Sequence, residues 1–255
     1  MSELTATSVD KKLLGFTNTE TEIKRRKKIV PNGVGIFCPS TTVHANGAVI
    51  TDADNNQLID FGGGIGVLNA GHCPETVVKA IQDQAAKLIH SSFHVSTYDG
   101  YLSLCERLAG ILPHGKNTKV MLTNTGAEAV ENAIKIARQA TNRSAVICFT
   151  EAFHGRSMMA MTLTSKINYK TGCGPFAPEV YRLPFPDHYH FGKGLTEDEF
   201  IDQELKRLDD ATHSMVAPEN IAAIIIELVQ GEGGFNVTPQ RYVEGLRKFC
   251  DEHGI

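Results

Sequence analysis

"KVMLTNTGAEAVENAIKIAR" (119–138) opens as a short apolar run, passes through small hydroxylated residues around one glycine, and closes as an amphipathic helix. A strand that feeds a helix in this way is the unit from which parallel α/β sheets are built. The rhythm continues downstream. "SAVICF" (144–149) is a second run of β-formers tightly followed by a loop. A charged helix near 197–209 sets Ile201, Leu205 and Leu208 inward, and "IAAIIIELV" (221–229) is a nearly continuous apolar strand, as expected when both faces are covered. The last helix, within "PQRYVEGLRKFCDEHGI" (239–255), turns Val243, Leu246, Phe249 and Cys250 inward and stops at His253-Gly254. The fold class read from this pattern is α/β, a mostly parallel sheet with helices on both faces. A returning strand should follow the last helix, and only Ile255 is present. The expectation is therefore a chain that stops one residue into its next strand, leaving an open sheet edge with exposed apolar side chains.

Upstream, "MSELTATSVDKKLLGFTNTE" is polar and weakly patterned and reads as a mobile arm. "GAVITDADNNQLIDFGGG" (47–64) holds two apolar runs around a turn-forming cluster, a β-hairpin. "PETVVKAIQDQAAKLIH" (74–90) aligns Val77, Ile81, Ala85 and Leu88 on one helical face behind Pro74; a further helix around 98–112 aligns Leu102, Cys105, Leu108 and Leu112 and stops at Pro113.

Composition narrows the function. With 255 residues, 42% of them hydrophobic, the chain can bury a sizeable core. A net charge of −4 leaves no electrostatic footprint for nucleic acid, and no apolar run is long enough for a membrane span. "KRRKK" (24–28), beside "ETE", reads as a solvated helical face. The N-terminal residues lack a signal-peptide core and carry Glu3, Asp10 and Glu20, unlike a transit peptide, so a cytoplasmic location is expected. Cysteines 38, 73, 105, 148, 173 and 250 show no CxxC spacing and read as reduced thiols.

Chemistry concentrates at three places. At Thr123–Gly126 a helix start follows a strand, which puts outward-pointing N–H groups at the carboxyl edge of the sheet, where a phosphate group fits. An ordinary Thr/Asn helix cap fits equally well. The GxxxxGKS/T phosphate loop is missing, and no G-x-G-x-x-G joins a strand to a helix; "GGGIG" (62–66) runs into "VLNAGH" and reads as turn and loop glycines. "EAFHGRS" (151–157) follows "SAVICF" at the same edge. Phe153 could stack on a planar ring and Arg156 could fork onto a carboxylate, or they are a core aromatic and a structural ion-pair partner. "ELVQGEGG" (227–234) brings Glu227 and Glu232 to this edge, as acid–base groups or as a solvated loop.

With these motifs in order, the sequence resembles the class III pyridoxal-phosphate aminotransferases, in particular their 4-aminobutyrate branch. The resemblance is carried from about residue 30 to the last residue by "DFGGGIGVLNAGHCPETVVKAI", "TNTGAEAVENAIKIAR", "AFHGRS", "IIIELVQGEGGF" and "FCDEHGI". It implies the aspartate aminotransferase (type I) fold, with residues 1–75 as part of the small domain and 76–255 as an incomplete large cofactor-binding domain. It implies pyridoxal 5'-phosphate as cofactor, an amino donor and a 2-oxo acid acceptor as small-molecule partners, and a homodimer. Gly126 and Ala127 match the positions whose amides hold the cofactor phosphate. Phe153 matches the aromatic stacked on the pyridine ring, with His154 beside it. Ile65 matches a pocket-lining residue, Arg156 the receiver of a substrate carboxylate, and Glu227 and Glu232 the two active-site glutamates. The second glutamate usually pairs with a later arginine.

Departures accompany the match. Leu228 stands where proline is common and Ala127 where serine is frequent. The aspartate that pairs with the pyridine nitrogen and the Schiff-base lysine belong to segments after "HGI"; Lys119, Lys135 and Lys166 lie outside the family's lysine motif. No catalytic residue is assigned, and negligible transaminase activity is expected of these 255 residues alone. Other readings are an ornithine or acetylornithine donor and a non-catalytic cofactor-binding or dimerisation fragment. A zinc enzyme built on His90, His94, His188 and His190 is disfavoured for want of a nearby glutamate or cysteine pattern.

Overall fold

The computed structural model describes residues 18–255. Most of the polar N-terminal arm lies outside them. The chain forms two compact units, one ending at Asp99 and the other spanning Gly100–Ile255. The boundary at 75/76 that the resemblance implies falls at the start of a helix.

In the first unit, helix α1 (Thr19–Ile29) carries the basic block and is capped by Asn18, whose Oδ1 accepts the Thr21 N–H. Strands β1 (Thr42–Asn46), β2 (Val49–Asp52) and β3 (Gln57–Ile59) follow as an antiparallel sheet in that order. The expected hairpin is β2–β3. Its turn is built by Asp52, whose Oδ1 accepts the N–H groups of Asp54 and Asn56. Strand β1 was not anticipated, because its half-exposed residues carry too little apolar alternation to be read without their partner. Helix α2 (Glu75–Ala85) starts after Pro74 but ends short of residue 90. Lys87 and Leu88 turn their N–H groups back to the Gln84 carbonyl, and the Gln84 side chain bonds the Leu88 carbonyl. The apolar face exists, yet Val77, Ile81 and Leu88 stay exposed.

The second unit contains α4 (Gly126–Thr141) after α3 (Asp99–Ile111), which begins at the division, then β4 (Ala145–Phe149), α5 (Met158–Leu163), β5 (Val180–Leu183), α6 (Glu197–Ser214), β6 (Ile221–Ile224) and α7 (Gln240–His253). The sheet order is β5-β4-β6, and both pairings are parallel. Because side chains alternate across a strand, Ala145, Ile147 and Phe149 join one core with Ile201, Leu208, Tyr242 and Leu246 of α6 and α7. Val146 and Cys148 face the other way, against Ile134 of α4 and Met159 and Leu163 of α5. Every β4 residue is buried, which is why "SAVICF" reads as an unbroken apolar run. Each large side chain so buried contributes about 1.5–3 kcal/mol.

Two expected strands differ. Residues 119–122 join no sheet among the described residues. Side chains of α3 satisfy that backbone instead: Tyr101 Oη accepts the Leu122 N–H at 3.0 Å, and Cys105 Sγ donates to the Val120 carbonyl at 3.7 Å. The strand expected over 221–229 ends at Ile224. Beyond it Thr238 draws the chain aside, its N–H bonding the Leu228 carbonyl and its Oγ1 the Glu227 carbonyl. The outer edge of β6 has no strand partner among the described residues. Among these residues no helix is long and apolar enough to cross a membrane, and no group of three metal-ligating side chains forms.

Candidate active site

The start of α4 lies against the loop that follows β4. Thr125 is extended (φ −147°, ψ 156°) and caps the helix, its Oγ1 accepting the Glu128 N–H at 3.0 Å. Glu128 reaches back, accepting the Asn124 N–H at 2.8 Å, and the Ala129 N–H bonds the Thr125 carbonyl. Cap and phosphate site are thus compatible, because the cap uses the third amide. The N–H groups of Gly126 and Ala127 have no acceptor among the described residues. A Cβ on Gly126 would meet nothing within 4 Å, so that side of the helix start is open.

The loop after β4 rests directly on this helix start. At Gly155 φ is +128°, and a Cβ there would lie 2.8 Å from Ala127 Cβ and 3.0 Å from Ala160 Cβ; only glycine fits the approach. Thr164 fastens the loop by accepting the His154 N–H at 3.0 Å, while its hydroxyl faces the Gly155 and Ala160 carbonyls at 3.0 and 2.9 Å. Glu131 of α4 fastens its far end. One carboxylate oxygen accepts from Ser157 Oγ (2.7 Å), Met159 N–H (2.8 Å) and Ala160 N–H (3.2 Å), capping α5 from a neighbouring helix. Arg156, between these fastenings, is exposed.

His154 is buried, and its Nε2 has no partner among the described residues. Burial, reinforced by the Arg182 guanidinium, moves its pKa from 6.5 down to about 4. The unfolded chain therefore binds a proton below pH 6.5 that the folded chain refuses until about pH 4, so stability falls as pH drops through that window. The loss attributable to this ring is on the order of 3 kcal/mol. Unfolding curves from pH 7 to 4.5 should have a shallower pH slope in His154→Gln than in the unmodified protein; equal slopes would refute a neutral buried imidazole.

The third loop is stitched to the second. Gln230, fully buried, donates from Nε2 to the Thr150 carbonyl at 2.9 Å. Glu227 accepts the Phe153 N–H at 3.3 Å, and burial pushes its carboxyl upward. The Phe153 ring meets Tyr169 edge-on, centroids 5.2 Å apart. Glu232, exposed, accepts from Lys166 Nζ at 3.0 Å and Tyr169 Oη at 3.4 Å. Gly126, Ala127, Phe153, His154, Arg156, Glu227 and Glu232 thus belong to three interlocked loops. Ile65 lies in the first unit, where its side chain is 86% exposed.

The family described as aminotransferase class-III matches residues 31–255. The chain belongs to that family. A Bacillus subtilis protein named "Probable 4-aminobutyrate aminotransferase" is 45% identical over 91% of this chain and 53% of its own length. An Escherichia coli 4-aminobutyrate aminotransferase is 43% identical over 91% and 53%, and a Pseudomonas putida 5-aminovalerate aminotransferase 41% over 92% and 54%. The chain spans about half the length of these curated relatives. A solved (S)-enantioselective omega-transaminase from Thermomicrobium roseum superposes with a TM-score of 0.86 at 28% identity, covering 94% of this chain and 56% of that one. The taurine:2-oxoglutarate aminotransferase of Bifidobacterium kashiwanohense, solved with PLP and glutamate, gives 0.84 at 25% identity, covering 94% and 54%. Class-III aminotransferases are pyridoxal-phosphate enzymes, and this one shares their fold.

Several contacts of this candidate site have no signature in the sequence. Glu131 and Thr164 look like surface helix and loop residues until the chain folds. Gln230 offered the one local signal, a lone amide between an apolar strand and glycines.

Proposed function

We propose that this chain contributes the phosphate- and ring-holding part of an aminotransferase that moves the amino group of 4-aminobutyrate to 2-oxoglutarate. The observation that carries the reading is the pair of unsatisfied amides at Gly126 and Ala127, beside a loop that approaches within one Cβ of them. The donor set fits pyridoxal 5'-phosphate: two amides at a helix N-terminus for a phosphate, an aromatic ring at Phe153, and an unpartnered buried imidazole nitrogen at His154 for a polar group. When bound, that cofactor supplies an electron sink for the carbon bearing the amino group.

In this reading Gly126 and Ala127 hold the phosphate and Phe153 covers the ring. Glu227, tied to the Phe153 N–H, fixes the height of that ring. His154 stays uncharged and so adds no second cation beside the ligand. Arg156, exposed and with its backbone clamped on both sides, receives the carboxylate of an ω-amino acid. Glu232 is a gate whose resident partner in this chain is Lys166. Residues 1–75 are assigned to the small domain and 76–255 to the cofactor domain of a homodimer.

A second donor is favoured by the similarity to 5-aminovalerate aminotransferases. Protein expressed from the complete gene and supplied with pyridoxal phosphate should form glutamate from 4-aminobutyrate and 2-oxoglutarate, and more slowly from 5-aminovalerate. Arg156→Ala should raise KM for 4-aminobutyrate at least about tenfold, with a smaller change in kcat. An unchanged KM would remove Arg156 from the carboxylate site. A higher kcat/KM for 5-aminovalerate would transfer the assignment to the longer donor.

A further inference from the structure

Ser157 stands where α5 needs a cap. It is extended (φ −80°, ψ 171°) directly before Met158, the place from which a serine hydroxyl ordinarily accepts an amide of the first turn. Here it makes no such bond. Its Oγ donates instead to Glu131 Oε1, and that same oxygen accepts the Met159 and Ala160 amides that the serine leaves free. Those amides open a helix whose residues 159–163 are all buried, so leaving them without an acceptor would be costly. Capping has passed from the helix's own serine to a carboxylate on another helix. A local cap would tie the end of the 151–157 loop to α5 alone; this one ties it to α4 as well.

The other contact between that loop and α4 lies on the opposite side of Arg156. Ala127 and Glu131, four residues apart, stand one turn from each other on α4 and share a face with the core residue Ile134. At Ala127 this face meets Gly155, where a methyl would not fit; at Glu131 it holds Ser157. Arg156 is the single residue between the two contacts. With both neighbours fixed, the direction in which its Cα–Cβ bond leaves the chain is fixed too. The contacts differ in kind. The one at Gly155 is steric and prevents closer approach, whereas the one at Ser157 is attractive and prevents departure. Without Glu131 the C-terminal side of Arg156 is released, while Thr164 still holds the N-terminal side through His154 and Gly155.

We propose that Glu131 is a positioning residue for substrate binding: through Ser157 and the α5 amides it fixes the end of the loop, and with it the direction from which Arg156 meets a donor carboxylate. The proposal rests on the reading of Arg156 given above. It adds that carboxylate recognition depends on a group acting at one remove, from the helix that also carries Gly126 and Ala127.

The test uses protein expressed from the complete gene, supplied with pyridoxal phosphate, and reads KM and kcat for 4-aminobutyrate. Glu131→Leu, which accepts no hydrogen bond, should raise KM about tenfold with a smaller change in kcat. Glu131→Gln keeps an acceptor oxygen and should stay within about threefold of the unmodified KM. In an Arg156→Ala background Glu131→Leu should raise KM no further, because the side chain being aimed is gone. Ser157→Ala removes the hydroxyl donor and leaves both amides bound, so it is the milder variant, raising KM about two- to fourfold and again only when Arg156 is present. Where Glu131→Leu does not fold, Ser157→Ala decides. An unchanged KM in the deciding variant, or the same rise with and without Arg156, would overturn the proposal. So would a rise in Glu131→Gln equal to that in Glu131→Leu, which would place the effect in the charge and not in the position. A KM that Arg156→Ala itself leaves unchanged would instead overturn the reading of Arg156 on which the proposal rests.

Discussion

Gly126→Pro should weaken pyridoxal phosphate binding by about 10- to 100-fold while leaving the fold intact. Proline normally breaks helices because it lacks an N–H and collides with the preceding turn, but the first helical position is exempt. Gly126 occupies that position behind the Thr125 cap, and Thr125 is already extended, the conformation a residue before proline requires. A Cβ at 126 enters open space. The substitution thus removes one N–H from the proposed anion site, and a hydrogen bond to a charged group is worth about 1.5–3 kcal/mol. Stability without cofactor should be unchanged or raised by up to about 1 kcal/mol, through the stiffer unfolded chain. Gly126→Ala keeps the N–H and should bind normally. Fluorescence titration of protein expressed from the complete gene would measure all three affinities. Equal affinities would show that the phosphate sits elsewhere.

Gly155→Ala should cost about 2–4 kcal/mol and loosen the cofactor as well. Two costs combine. The backbone at φ +128° disfavours any L side chain, and the new Cβ would sit 2.8 Å from Ala127 Cβ and 3.0 Å from Ala160 Cβ. Relief would require the 151–157 loop to lift from the helix start that supplies the two amides. Ala127→Gly opens the closer contact, so in the double variant it should recover part of the loss, although alone it costs up to about 1 kcal/mol of helix propensity. Thermal melts of the four proteins give the coupling; strict additivity would mean the two residues do not press on one another.

The parallel sheet was readable because burial on both faces leaves an unbroken apolar run, as in "SAVICF", and because each helix keeps an apolar stripe. The helix start at Thr125–Gly126 was readable because capping demands particular residue types at fixed spacing. The run at 119–122 misled, since apolar character does not reveal whether a backbone finds a ladder or the side chains of Tyr101 and Cys105. Residues 225–229 misled likewise, their continuous apolarity hiding the pull of Thr238 on the chain. At the site, types such as Arg156 and the two glutamates could be picked out, whereas the reach of Glu131 across 28 residues to the Met159 amide has no local signature. Left-handed backbone at Ile65 is invisible for the same reason, since nothing about isoleucine advertises it.

The same carboxylate carries an evolutionary consequence. Helix α4 offers two amides at its tip and, little more than a turn later, grips the residue next to Arg156 through Glu131. In the proposed reading, coenzyme anchor and substrate anchor are therefore surveyed from a single rod, as if by one ruler. A lineage that retunes its donor cannot slide that ruler without disturbing the coenzyme, so changes of substrate length should accumulate elsewhere on the rim while this rod stays put.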